Sequence, residues 1–160
     1  MGSFLDKVLK LSRLINFIGG VSLSFIMFLT VADIILRSFR RPIIGTYEIV
    51  AFSGAVVIGF SVPLTSWMRG HVYTDFVILR FSQKTRNIFN IATRCLGIGL
   101  FLLIGWNLIK YGMDLYQSGE VSPTLTMPFY PVAYGVAVCC FIQCLVMVCD
   151  IIKIFGGKYE

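Results

Sequence analysis

The stretch Glu48–Asp75, EIVAFSGAVVIGFSVPLTSWMRGHVYTD, decides the fold. It opens on a carboxylate, runs apolar as far as Trp67, and then delivers Arg69, Gly70, His71 and Asp75 in quick succession. About 20 apolar residues in a helix cross the roughly 30 Å of hydrocarbon in a bilayer, so this run predicts a membrane span. Polar groups gathered at both of its ends predict a helix held by partners. Nothing in it reads as the active site of an enzyme.

Working outward, three more apolar blocks match it. They are Leu14–Leu36, Ile88–Ile109 and Val132–Ile152, beside Ile49–Trp67 in the deciding stretch. The chain is 57% hydrophobic and only 14% charged, with a mean hydropathy of +0.83. Soluble domains carry about a quarter charged residues. Backbone in lipid must satisfy its own hydrogen bonds, which makes these blocks helices. Strands of a membrane barrel would alternate polar and apolar residues, and these blocks do not. The expectation is an all-α membrane protein: one integral domain over residues 1–160, with four transmembrane helices. A short interfacial segment, Phe76–Phe81, is expected between helices two and three, being apolar but too short to span.

The formal charge of +6 does not point to nucleic acid, because the basic residues lie in short clusters between apolar blocks. Lys7, Lys10, Arg13, Arg69, Arg80, Lys84, Arg86, Lys153 and Lys158 fall on one side of the membrane. Arg37, Arg40, Arg41 and Lys110 fall on the other. Positive residues favour the cytoplasmic side, so both termini are expected there. Met1–Arg13, basic and partly apolar, is expected to lie on the inner leaflet. It does not read as a cleavable signal, since its apolar run is long and no small-residue cleavage site follows.

Polar residues within this frame are few. Asp33 and Arg37 are four apart on helix one and can pair, either as a bridge that ends the helix or in contact with another helix or subunit. Arg40-Arg41-Pro42 and Gly45 form a short link, which predicts an antiparallel hairpin of helices one and two. Glu48 suits the positive end of the helix dipole, and could also meet Arg37 or Arg41 across that hairpin. Pro63 is expected to kink helix two. In helix three, Arg94 either snorkels to the headgroups or pairs with an acid. The third connection, Gly112–Pro131, holds Asp114, Glu120 and Phe129-Tyr130, and is stiffened by prolines. Gln143 in helix four should bond across helices.

No catalytic, cofactor or metal site is expected. His71 and Asp75 stand one turn apart, but His71 is the single histidine, and a metal or acid–base site needs more than one such pair. Four of the five cysteines (Cys139, Cys140, Cys144, Cys149) lie in the fourth block, where cysteine acts as a small hydrophobe.

Taken in order, Asp33–Arg37, Gly45–Glu48, GHVYTD (Gly70–Asp75) and TLTMPFYPVAYGVAV (Thr124–Val138) resemble the small membrane subunit of tripartite ATP-independent periplasmic (TRAP) transporters. The resemblance covers roughly Thr30 to Val138. It implies a multi-pass protein of the bacterial inner membrane, paired with a large multi-spanning subunit. In that family a periplasmic binding protein delivers an organic acid, such as a C4-dicarboxylate or sialic acid, to the membrane complex. The large subunit moves as an elevator and carries the substrate and sodium sites, so sodium coupling is expected there. The small subunit is a fixed scaffold. By this resemblance Arg37, Glu48, His71 and Asp75 are structural or interface groups, and Asp33 and Arg94 are expected to be so from their own positions. Arg40, Arg41, Glu120, Phe129 and Tyr130 are candidates for docking the binding protein.

Two other classes compete. An independent four-helix exporter needs a carboxylate deep in the membrane, whereas Asp33 and Asp150 lie near helix ends. An anchor for a redox complex would hold a haem on two histidines, and there is one.

Overall fold

A computed structural model of the chain describes residues 2–68 and 83–155, with side chains for residues 5–68 and 89–152. It contains four helices: α1 (Gly2–Ser38), α2 (Thr46–Trp67), α3 (Gln83–Ser118) and α4 (Tyr130–Phe155). All four are long and apolar enough to cross a membrane. Among the described residues there is no strand, only an isolated bridge between Val121 and Pro128. The all-α membrane fold with four spans is therefore observed. The expected segment Phe76–Phe81 lies outside the described residues, as do His71 and Asp75.

Each expected span sits inside its helix, but two helices run further. α1 begins at Gly2, so Gly2–Arg13 is a continuous part of α1. The cause is packing: Val8 clusters with Val146 and Cys149 of α4, which draws the segment onto the bundle. α3 continues to Ser118, which shortens the third connection to residues 119–129. Its last turns stay helical because they keep a buried face. Leu115 is buried there, and Gly112 lies under Tyr134, whose ring is 2.9 Å from where a Cβ would stand.

Small residues set how closely the helices approach. Gly19 of α1 packs on Phe60 and Ser61 of α2, which makes this pair an antiparallel hairpin. Gly97, Gly105 and Gly112 form the face of α3 that meets Met147, Phe141 and Tyr134 of α4, again antiparallel. α2 and α4 run parallel. Gly59 meets Val136, Phe52 meets Phe129, and Ser66 meets Gln143. The packing order is α1–α2–α4–α3, with α4 the most enclosed helix. Phe28 and Phe17 of α1 and Leu96 and Leu103 of α3 face outward. A hydrocarbon solvent accepts such faces at no cost.

Candidate docking site

Two carboxylates organise the end of the bundle that carries the connections 39–45 and 119–129. Asp33 is buried in the last turns of α1. Its Oδ2 accepts a hydrogen bond from Arg37 at 2.8 Å, and its Oδ1 accepts one from the backbone N–H of Ile43 at 2.9 Å. The side chain of Thr46 donates to the carbonyl of Ile43, closing the link into α2. Arg37 remains half-exposed and lies 6.0 Å from the ring centroid of Tyr47, within cation–π range. The pair forms a bridge within the chain, and with the bond to Ile43 it fixes the hairpin.

Glu48 does for the other connection what Asp33 does for the first. Its carboxylate accepts from the Ser122 hydroxyl, from the backbone N–H of Thr124 at 2.7 Å and from that of Leu125 at 2.8 Å. Bonds from N–H or O–H to an ionised acceptor are the strong ones, and three on one side chain make a clamp. This corrects the pairing of Glu48 with Arg37 or Arg41: the orphan donors of the turn at residues 123–125 lie closer. Inside the loop, Ser122 N–H donates to Met127 and Thr126 N–H donates to Ser122, at 2.9 and 3.1 Å. The two connections also touch. Gly45 caps α2 with φ +81, and the side chain of Leu125 occupies the space its Cβ would need.

The candidate docking residues separate into two groups. Arg40, Arg41 and Glu120 are exposed. Phe39 (74% exposed) and Ile44 (73%) stand beside the arginines, with Val121 and Met127 across the loop. Phe129 and Tyr130 are instead half-buried in the framework. Phe129 stacks on Phe52 with centroids 5.2 Å apart, and Tyr130 meets Tyr116 edge-on at 5.4 Å. Below the loop, a cleft of about 500 Å³ opens between α2 and α3 over α4. Ala51, Phe52, Ala55, Leu108, Ala133 and Val136 line it, with Tyr47 and Tyr111 at its sides and Glu48 and Ser122 at the rim.

At the opposite end, Arg94 of α3 pairs with Asp150 of α4 at 3.4 Å, both buried. The acid left unnamed in the sequence is therefore Asp150, and Arg94 does not reach outward. Both residues lie near the same end of neighbouring antiparallel spans, a signal that depth-matching could have found. The partners of Glu48 had no such signal, being 74 to 77 residues away. Among the described residues no three His, Cys, Asp or Glu side chains gather as a metal site.

The family model described as tripartite ATP-independent periplasmic transporters, DctQ component, matches residues 26–157, well over half of the chain. No curated protein sequence and no solved structure gives a significant match.

Proposed function

Because this chain belongs to the DctQ family, the small membrane component of TRAP transporters, we propose that it is a fixed scaffold for the large membrane subunit. In this reading it is a multi-pass inner-membrane protein whose termini face the cytoplasm. Its connections 39–45 and 119–129 then face the periplasm. The substrate and sodium sites belong to the large subunit, this chain holds no cofactor, and the cargo is an organic acid brought by the binding protein.

The observation that supports a scaffold is where the ionised groups of the bundle point. Asp33, Glu48, Arg94 and Asp150 all bind the chain to itself, fixing both connections and the α3–α4 pair. Groups that carry ions or protons through a membrane must instead face a pathway. In the same reading the large subunit covers the cleft between α2 and α3 and the outward face of α3. His71 and Asp75 belong to the cytoplasmic connection and contact the large subunit there. Arg40, Arg41 and Glu120 meet the binding protein, while Phe129 and Tyr130 hold the loop in shape behind them.

The test is affinity purification of the tagged chain from its own membranes, with mass spectrometry of its companions. Recovery of one much larger multi-spanning protein in equal amount supports the scaffold. Recovery of this chain alone, as a stable homodimer, favours an independent carrier.

A further inference from the structure

We propose that the junction of α1, α2 and α4 binds one internal water molecule, held between the hydroxyl of Ser12 and the side-chain carbonyl of Gln143. Gln143 donates through Nε2 to Ser66 Oγ at 2.6 Å, while its Oε1 has no hydrogen-bond partner in the protein. Ser12 Oγ also has none. The two residues are 1% and 0% exposed, so neither lipid nor the side chain of another subunit reaches them. Turning the amide of Gln143 over would exchange Oε1 for Nε2 as the orphan and still leave one.

Packing brings the two groups to one level. Ser12 lies on the inner stripe of α1 between Val8 and Ile15. Val8 clusters with Val146 and Cys149 of α4, and Ile15 with Cys139 and Ile142. Gln143 falls inside that span of α4. On the third side stands Ser66 of α2, fully buried, whose hydroxyl accepts the hydrogen bond from Gln143.

Water is the ligand this chemistry fits. The groups are a carbonyl that needs a proton donor and a hydroxyl that can give or take. A buried water typically makes about two to four hydrogen bonds to such groups. Both are neutral oxygens, and the named residues include no carboxylate to favour a cation.

The sign of one substitution decides the matter. Alanine is the better helix former, and removing a hydroxyl with no partner relieves a burial cost. Ser12→Ala would then raise the Tm. If water is bound there, Ser12→Ala removes one of its ligands, and the Tm of the full chain in lipid nanodiscs falls by about 2–4 °C. In a Gln143→Met background the same change should cost less than half as much, because the water is already lost. A Tm that rises or holds still in Ser12→Ala overturns the proposal, as does an equal loss in both backgrounds. If Gln143→Met does not fold, Ser12→Ala alone decides. An experimental map that resolves ordered water should place a peak within hydrogen-bond distance of Ser12 Oγ and Gln143. Ordered waters elsewhere and none at that point would also overturn it.

Discussion

The carboxylate of Glu48, on the first turn of α2, accepts the backbone N–H of Leu125 at 2.8 Å across 77 residues of chain. Beside it the N–H of Thr124 and the hydroxyl of Ser122 point to the same group. One side chain therefore holds the turn of the 119–129 connection against the head of another helix.

Replacing that acceptor should release the loop and leave the bundle intact. In Glu48→Gln the amide turns a donor toward donors, so the backbone N–H groups of Thr124 and Leu125 should exchange roughly tenfold faster or more. Helical content should not change. Hydrogen exchange read by mass spectrometry on peptides covering residues 119–129 checks this, and unchanged protection would contradict it.

Gly45 is a second lock on the same pair of connections. Its φ of +81 costs a non-glycine residue about 1–2 kcal/mol, and a Cβ would also strike Leu125. Gly45→Ala should lower the Tm by several degrees, given about 2–4 °C per kcal/mol for a chain of this size. Adding Leu125→Ala should restore only part of the loss, since it removes the collision and not the backbone strain. Thermal unfolding of the single and double variants separates the two terms.

At the other end, Arg94 and Asp150 form a buried pair. Removing one partner strands the other charge, at a cost of about 3–5 kcal/mol, whereas exchanging both for apolar residues of similar volume can be close to neutral. Arg94→Met should therefore be strongly destabilised and Arg94→Met/Asp150→Leu much less so. Folded yield and Tm in nanodiscs give the comparison. A double variant as unstable as the single one would mean that the pair does more than satisfy itself.

The exposed arginines belong to the functional reading. Rim charges act mainly on encounter, so Arg40→Glu/Arg41→Glu should raise the concentration of binding protein needed for half-maximal uptake by roughly tenfold. The defect should deepen as ionic strength falls, because like charges are then less screened. Assembly with the large subunit should be unaffected. Uptake into proteoliposomes titrated with binding protein measures all three.

How much of this was legible in the sequence follows from the range of each interaction. The four spans, the α1–α2 hairpin and the Asp33–Arg37 pair are local, set by apolar runs and i,i+4 spacing. The glycine contacts were legible as a kind but not in detail. Gly19 and Gly97 are packed closely, while Gly20 and Gly99, two of their near neighbours, face open space. Only the rotation of the finished helix decides between them. Glu48 was visible as a helix-dipole carboxylate, but its partners are set by how α2 and α4 pack in parallel. The apolar run stops at Ile109, so the sequence shows the span and not the further turns of α3 to Ser118, where Gly112 passes beneath Tyr134.

The measurement closest to the central claim is native mass spectrometry of the tagged chain released from its own membranes. The scaffold account predicts one copy of this chain with one copy of a much larger multi-spanning protein. It also predicts that Glu48→Ala and His71→Ala change how much of that complex forms and not which substrate it carries. A homo-oligomer of this chain alone, or a variant with intact assembly and altered substrate preference, would contradict it.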